Sequence, residues 1–366
     1  MGDPPANLPY RGASSRPASS PPPGASGDSR GAERRGDGRH FAALDLGTNN
    51  CRLLIARSHG GHDGGDFAVI DAFSRIVRLG EGLAATGRLS DDAIERTIAA
   101  LRVCADKLRR RHVTLARSVA TEACRRADNG PAFIARAYAE TGIHLDIISA
   151  EEEARLAVLG CHALIEPGNG PALVFDIGGG STELVLVDTA TPTPTVIDWH
   201  SAPWGVVSLT EQAGGGDDAA GRLAAYAQMR ALVADSFAGF ARRLPRGVAA
   251  PRLLGTSGTV TTLGSVHLGL SHYDRSAVDG LIVPAAAMRR ISRDLSGMSL
   301  AERAGVACIG AERADLVVAG CAILESILDL WPAERLGIAD RGIREGILRR
   351  LMGSPPPPRA ASGRGS

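Results

Sequence analysis

The chain contains Phe41-Ala-Ala-Leu-Asp-Leu-Gly-Thr-Asn-Asn50, an apolar run that ends in an aspartate and a glycine-bearing turn before Leu53-Leu-Ile55 resumes the apolar pattern. A second stretch, Pro171-Ala-Leu-Val-Phe-Asp-Ile-Gly-Gly-Gly-Ser-Thr182, repeats this order and continues into Leu184-Val-Leu-Val187. Short apolar runs on both sides of a glycine turn predict a β-hairpin. Each predicted hairpin therefore carries an aspartate at the end of its first strand.

The separation of the two hairpins indicates two domains. They lie too far apart in the chain for a solenoid repeat, and 366 residues suit two domains of ordinary size. We therefore expect an α/β fold in which two similar domains face one another, each offering a hairpin turn to a shared cleft. The first domain is predicted at 41–155 and the second at 156–352. Segments rich in Pro, Gly and Ser at 1–40 and 353–366 are predicted to be disordered.

Apolar spacing predicts the remaining elements. Helices are expected at 91–111, 131–141, about 219–244, about 316–330 and about 342–351, and strands at 113–120, 145–148 and 252–254. Another helix is expected to begin at Ser149, because Ser149 and Glu152 have the spacing of a capping box.

The composition excludes several classes of protein. A net charge of +1 and an aromatic content of 4% are unlike a nucleic-acid binder, and the chain has no Gly-Lys-Ser/Thr for a P-loop. Six scattered cysteines without a Cys-x-x-Cys pair indicate reduced thiols. No apolar run approaches the roughly 18 residues that span a bilayer. We expect a soluble, cytoplasmic protein that binds neither nucleic acid nor membrane.

The two aspartate–glycine turns have the composition of an anion site. Glycines let backbone N–H groups approach an anion closely, because no Cβ blocks them. Thr48, Asn49, Ser181 and Thr182 add side-chain donors, and a carboxylate at the mouth of each turn is a hard oxygen ligand that suits Mg²⁺. Gly255-Thr-Ser-Gly-Thr259 is a third loop of this kind. Together the three loops predict a phosphate cradle.

Three glutamates open the helix predicted after Ser149. An acid at Glu151 is explained by its favourable interaction with the helix dipole. In a capping box the carboxylate of Glu152 would accept the backbone N–H of Ser149. Glu153 has no such structural role, so the pattern leaves it either a catalytic carboxylate or an ordinary acid at a helix start. The residues that follow on its face are small or apolar and indicate an inward-facing side: Ala157, Gly160 and Cys161.

Seven motifs occur in a fixed order: Asp45-Leu-Gly-Thr-Asn-Asn50, Ala120-Thr-Glu-Ala-Cys-Arg125, Ser149-Ala-Glu-Glu-Glu-Ala-Arg-Leu156, Asp176-Ile-Gly-Gly-Gly-Ser-Thr-Glu183, Gly255-Thr-Ser-Gly-Thr259, Arg313-Ala-Asp315 and Arg341-Gly-Ile-Arg-Glu-Gly346. Together they resemble the Ppx/GppA phosphatase family over about residues 41–350. The resemblance implies the actin-like ATPase superfold, in which two ribonuclease-H-like domains close on a phosphate site. It also implies a Mg²⁺-dependent hydrolase that releases terminal phosphate from polyphosphate or guanosine pentaphosphate, and a homodimer.

The resemblance also assigns roles by position. It places the general base on Glu153 and the metal-associated carboxylates on Asp45, Asp176 and Glu183. Phosphate contacts are assigned to the turns and to one arginine: Gly47, Thr48, Asn49, Arg125, Gly178, Gly179, Gly180, Ser181, Thr182, Ser257, Gly258 and Thr259. Ala150 stands where the family commonly has glycine. Longer members carry further helical domains after the matched region, so we expect a distributive enzyme that favours short polyphosphate.

Two other functions fit the same superfold. One is a sugar or acid kinase or a chaperone-type ATPase, in which the loop at 255–259 would touch adenosine. Phosphate release without ATP or an acceptor would separate a hydrolase from these. The other is a non-catalytic sensor of polyphosphate or guanosine tetraphosphate, although a pure binder would not need the carboxylate of Glu153.

Overall fold

The structure, a computed structural model, describes residues 39–353 except 59–66, 192, 217 and 249. The segments predicted to be disordered, 1–40 and 353–366, lie outside the described residues apart from positions 39, 40 and 353. The described part folds into two α/β lobes, each built on one mixed β-sheet.

The first lobe contains β1 (His40–Leu46), β2 (Asn50–Ser58), β3 (Phe67–Ile76), α1 (Leu83–Thr86), α2 (Asp91–Arg110), β4 (Val113–Ala120), α3 (Glu122–Arg126), α4 (Gly130–Thr141) and β5 (Leu145–Ile147). Its sheet has the order β3-β2-β1-β4-β5. The first three strands are antiparallel, whereas β4 and β5 run parallel to β1. Apolar residues of α2, among them Ile98 and Leu101, pack with Leu44 and Leu53 of the sheet in one core.

The second lobe begins after α5 (Ala150–Cys161) and a short 3₁₀ helix (His162–Leu164). It contains β6 (Ala172–Ile177), β7 (Thr182–Asp188), β8 (Thr195–Ala202), α6 (Val206–Ala213), α7 (Ala219–Ala241), β9 (Arg252–Thr256), α8 (Gly258–His267), α9 (Arg275–Val278), β10 (Ile282–Pro284), α10 (Ala285–Gly297), α11 (Leu300–Ala304), α12 (Val317–Leu330) and β11 (Arg335–Ala339), and α13 (Ile343–Gly353) follows it in the chain. Its sheet has the order β10-β11-β9-β6-β7-β8.

The two sheets repeat one arrangement. In the second sheet β6, β7 and β8 are antiparallel, and β9 and β11 continue parallel to β6, as β4 and β5 do beside β1. The duplicated hairpin is β1–β2 in one lobe and β6–β7 in the other. The predicted fold class is therefore confirmed: α/β, with two ribonuclease-H-like domains of the actin-like ATPase superfold around a central cleft.

Two helices lie between the sheets. α5 packs against α13 and also contacts the second sheet, while α13 contacts β1 and β2 of the first sheet. The two helices approach so closely that a Cβ on Gly160 would lie 1.9 Å from the carbonyl oxygen of Gly342. The predicted domain limit between residues 155 and 156 falls inside α5, and α13 returns the end of the described chain to the first lobe.

Most predicted elements form close to their expected bounds. β4 has the predicted limits, α2 ends one residue earlier, and α7 ends at Ala241 rather than about residue 244. β9 extends to Thr256, two residues beyond the predicted strand, and so reaches the third glycine loop. All six cysteines are free thiols, as predicted.

Candidate active site

One cleft between the lobes brings most of the predicted site residues together. The predicted residues that line it are Asp45, Gly47, Thr48, Asn49, Glu153, Asp176, Gly178, Gly179, Gly180, Ser181, Ser257, Gly258 and Thr259. Its walls also include Arg52, Glu122, Thr262 and Arg313, to which the sequence assigned no role. Three predicted residues do not line this cleft: Arg125, Thr182 and Glu183.

The two hairpin turns have the same backbone geometry. The Gly47 N–H donates to the carbonyl of Asn50 at 2.9 Å, and the Gly178 N–H donates to the carbonyl of Ser181 at 3.0 Å. The turns also touch each other across the cleft. A Cβ on Gly179 would lie 2.9 Å from the Cβ of Thr48. Glycine at 179 therefore allows the two lobes to meet at their turns.

The start of α6 orients the second turn. The Val206 N–H donates to the carbonyl of Gly178 at 3.0 Å, the Val207 N–H donates to that of Gly179 at 2.8 Å, and the Ser208 hydroxyl donates to that of Gly180 at 3.1 Å. Because the C=O and N–H of a trans peptide point in opposite directions, the N–H groups that follow these carbonyls point away from α6. The turn therefore directs backbone donors to the side where the cleft lies.

The third loop joins β9 to the N-terminus of α8. Ser257 has a φ of 104°, in the left-handed region that residues other than glycine seldom adopt, and its hydroxyl accepts the N–H of Thr259 at 3.3 Å. Such strain persists where the surroundings enforce it, and it is common at binding sites. The loop thus places a helix N-terminus, which favours anions, at the cleft.

Two guanidinium groups flank this loop from different parts of the chain. A Cβ on Gly258 would lie 3.4 Å from Nη2 of Arg52 and 3.8 Å from Nη1 of Arg313. Arg313 donates to the hydroxyl of Thr262 at 2.8 Å. Within the described residues neither arginine forms an ion pair, so both charges are available to an anion in the cleft.

A cross-lobe ion pair fixes the segment that carries Arg313. Arg78, in the first lobe, lies 3.0 Å from the carboxylate of Asp315 and donates to the carbonyl of Glu312 at 3.4 Å. The Arg78 N–H in turn donates to the carbonyl of Asn49 at 3.0 Å. The first hairpin turn and the Arg313 segment are therefore connected through Arg78.

Glu153 lies in the first turn of α5, and only 7% of its surface is exposed. The prediction that this face of the helix points inward is confirmed, since Ala157 and Cys161 are buried as well. Its Oε2 accepts hydrogen bonds from both terminal nitrogens of Arg125 at 3.3 Å. Among the described residues, none donates to its Oε1.

The predicted capping box forms only in part. The Ser149 hydroxyl accepts the N–H of Glu152 at 3.2 Å. The carboxylate of Glu152 does not return to Ser149 but accepts from Arg117 at 2.8 Å and from Arg350 at 3.2 Å. Two charged donors are stronger partners for a carboxylate than one backbone N–H. The predicted return of the Glu152 carboxylate to the backbone of Ser149 is therefore wrong.

Four carboxylates share a poorly solvated region. Burial raises the pKa of Asp176 to about 6, with Asp45 adding to the rise and Arg52 opposing it. Burial, followed by the charge of Asp176, raises the pKa of Glu183 to about 7. Burial also raises the pKa of Asp45 and, together with the charge of Glu183, raises that of Glu153. Three of these carboxylates line the cleft and the fourth, Glu183, lies behind it; a cation bound nearby would stabilise their ionised forms.

Thr182 and Glu183, predicted to contact phosphate and metal, form hydrogen bonds with other protein groups. The Thr182 hydroxyl donates to the carbonyl of Trp204 at 2.7 Å, and the carboxylate of Glu183 accepts from the hydroxyl of Ser201 at 2.9 Å. Within the described residues, no group of three or more His, Cys, Asp or Glu side chains is close enough to hold a metal ion. Asp45, Asp176 and Glu183 thus do not form a complete set of metal ligands by themselves.

None of the described helices combines the length and the apolarity needed to cross a bilayer.

The chain is similar in sequence and in structure to proteins of one phosphatase family. Residues 54–354 match the model of the Ppx/GppA phosphatase family. The chain is 33% identical over 321 residues to exopolyphosphatase 2 of Mycobacterium tuberculosis, covering 85% of this chain and 98% of that protein. It resembles the crystal structure of the Aquifex aeolicus Ppx/GppA family member with a TM-score of 0.69 at 27% identity, over 86% of this chain and 97% of that one. It resembles an exopolyphosphatase-like protein with a TM-score of 0.75 at 28% identity, with the same coverage.

Proposed function

The chain belongs to the Ppx/GppA phosphatase family, and from this premise we propose that it releases terminal orthophosphate from inorganic polyphosphate or guanosine pentaphosphate, with Glu153 as the general base and Mg²⁺ as the cofactor. The main structural support for this proposal is the position of Glu153. It is a buried carboxylate that faces the same cleft as all three glycine turns.

The reaction needs a base beside a cradle for the terminal phosphoryl group. A carboxylate at Glu153 accepts a proton from a water molecule through Oε1, which no described donor occupies. The water oxygen forms a bond to phosphorus while the bond to the bridging oxygen breaks. The shortened chain leaves with the electron pair of that bond. Phosphoryl transfer of this kind depends mainly on positioning and charge stabilisation.

The turns and two arginines supply the charge stabilisation. Backbone N–H groups of the second turn and the N-terminus of α8 suit the oxygens of the terminal phosphoryl group. Arg52 and Arg313 lie beside Gly258 and suit the next phosphate groups of a polyphosphate chain or the second phosphorylated arm of guanosine pentaphosphate. Guanidinium groups bind phosphate through paired hydrogen bonds, so these residues would hold the substrate near Glu153.

The donor set fits Mg²⁺ in the way that phosphoryl-transfer enzymes use it. Mg²⁺ takes one or two protein carboxylates and completes its shell with phosphate oxygens and water, so a complete protein cage is not required. Asp45 and Asp176 line the cleft. Burial first, and the charge of a neighbouring carboxylate after it, raises the pKa of Asp176 and of Glu183, and a cation nearby would stabilise their ionised forms. When bound, the ion would neutralise charge on the phosphate oxygens.

The experiment is phosphate release from short polyphosphate, long polyphosphate and guanosine pentaphosphate, measured side by side with Mg²⁺ and without ATP or an acceptor. We expect release from at least one substrate, loss of activity with EDTA and recovery on adding Mg²⁺. No release from any substrate by a folded protein, or release that requires an acceptor, would contradict the proposal. Product lengths at early times on long polyphosphate would separate distributive from processive cleavage.

A further inference from the structure

The family resemblance assigns Arg125 to a phosphate contact, but in the structure its guanidinium group binds other protein groups. Its Nε donates to Oε2 of Glu122 at 3.2 Å, and its Nη2 donates to the same oxygen at 2.6 Å. Its Nη1 donates to the carbonyl of Ile148 at 2.6 Å. Both Nη1 and Nη2 also donate to Oε2 of Glu153 at 3.3 Å.

These contacts account for every donor that the side chain has. A guanidinium group carries five N–H bonds and no acceptor, and the structure shows five hydrogen bonds from it to protein oxygens. A phosphate oxygen could bind Arg125 only after one of these bonds broke. Arg125 also does not line the cleft, whereas Glu122 and Glu153 do.

We infer that Arg125 is the positioning residue of Glu153: it holds Oε2 of the carboxylate and leaves Oε1 free for the attacking water. This inference rests on the proposed function of Glu153. The carbonyl of Ile148 directly precedes the N-cap residue of α5, so Arg125 fixes the start of the helix and the carboxylate in its first turn together.

Glu122 completes the arrangement from the other side. Its carboxylate pairs with Arg125 at 2.6 Å, and its Cγ would lie 3.0 Å from a Cβ on Gly180 of the second turn. Two carboxylates on one guanidinium fix its plane, since the planar fork has few alternative geometries. The linked side chains of Glu122, Arg125 and Glu153 therefore fix the distance of the base from the turn that would receive the phosphoryl group.

The test compares Arg125→Ala and Arg125→Lys with Arg126→Ala as the matched control. Arg126 is the next residue, is partly exposed and approaches Glu122 only at 3.8 Å. For a positioning residue we expect kcat of Arg125→Ala to fall about 100-fold, as misplacement of a catalytic group by about 1 Å can cost this much, with KM within about twofold of the original. Lysine cannot reproduce the five-donor fork, so Arg125→Lys should stay close to Arg125→Ala. Arg126→Ala should keep both constants.

Addition of guanidinium ion at a non-denaturing concentration should restore part of kcat in Arg125→Ala and leave Arg126→Ala unchanged. A lesion that only destabilises the fold would not respond in this way. A direct phosphate ligand predicts the opposite split: a raised KM that Arg125→Lys largely restores, since lysine binds phosphate as a point charge. That result would overturn the inference.

If the original protein releases no phosphate, the proposed function fails, and the crystal structure of Arg125→Ala still decides the role of Arg125. A Glu153 carboxylate that leaves its position in this variant, and stays in place in Arg126→Ala, supports the positioning role. A Glu153 carboxylate that keeps its position without Arg125 overturns it.

Discussion

Arg52 and Glu183 occupy the same place in the two equivalent hairpins, but they carry opposite charges. Arg52 lies directly opposite Asp45 in the register of β1 and β2, and Glu183 lies directly opposite Asp176 in the register of β6 and β7. The first hairpin therefore places a cation beside its aspartate, while the second places another acid there. The repeated fold thus places unlike charges at equivalent positions of the two hairpins.

The close contact of the two turns predicts a strong effect of Gly179→Ala. The added Cβ would lie 2.9 Å from the Cβ of Thr48 and 3.1 Å from the backbone nitrogen of Asn49, so the turns must move apart. Overpacking of this kind costs about 1–3 kcal/mol, and we expect kcat/KM to fall by about tenfold or more. Steady-state kinetics with a thermal melt of each variant measures this.

Gly239→Ala is the control for that substitution. Gly239 lies within α7, and apart from its chain neighbours and the nearby helix backbone, no atom of the described residues lies within 4 Å of a Cβ built there. Alanine inside a helix is favoured over glycine by about 0.5–1 kcal/mol, so this variant should melt at the same or a higher temperature with unchanged kinetics. Equal activity of Gly179→Ala and Gly239→Ala would show that contact between the turns does not matter for catalysis.

Arg52 and Arg313 lie beside Gly258 and form no ion pair within the described residues, so we expect their removal to weaken substrate binding. Arg52→Ala and Arg313→Ala each remove a charged hydrogen-bond donor, worth about 1.5–3 kcal/mol, and we expect each to raise KM by about tenfold or more. Arg57→Ala is the control, because Arg57 lies on the same strand as Arg52 but is exposed. Kinetics with short polyphosphate and guanosine pentaphosphate would test this; an unchanged KM for both variants would exclude a role in binding.

The raised pKa values predict how stability depends on pH and Mg²⁺. Asp176 and Glu183, with pKa values of about 6 and about 7, bind protons more tightly in the folded state than in the unfolded state. Their contribution to the free energy of unfolding is therefore fully present below pH 4 and is lost as pH rises through about 7. Without Mg²⁺ these two groups make the protein less stable at pH 8 than at pH 5.5.

A bound cation should reverse this loss where the acids are ionised. We expect saturating Mg²⁺ to raise the melting temperature at pH 8 by about 2 °C or more, the shift that about 1 kcal/mol gives, and to have a smaller effect at pH 5.5. Calorimetry at both pH values, with K⁺ at equal ionic strength as the control, measures the difference. An Mg²⁺ shift that is the same at both values would count against a metal held by these carboxylates.

The sequence predicted the elements and the turns because their signals are local. An apolar run, an aspartate and a glycine turn lie within a dozen residues, so the hairpins carrying Asp45 and Asp176 follow from neighbouring residues alone. The same holds for β4 and for the start of α5 at Ser149, whose hydroxyl caps the helix as predicted.

The remaining features depend on contacts between distant segments. The partners of Glu152 include Arg350, which α13 brings back from the end of the described chain. The place of Arg313 beside Arg52 depends on closure of the two lobes, and the contacts of Arg125 depend on where the carbonyl before α5 lies. Sequence patterns show which residue types are present, but long-range packing decides which charges meet.

The most direct test of Glu153 as the general base is phosphate release from polyphosphate by Glu153→Gln in the presence of Mg²⁺. The control is Glu151→Gln, in the same helical turn, where the carboxylate pairs with Arg155. We expect that Glu153→Gln remains folded and binds polyphosphate but loses about 10²–10⁴-fold in kcat, while Glu151→Gln stays near the original rate. A folded Glu153→Gln that hydrolyses polyphosphate at the original rate would contradict the assignment of Glu153 as the base.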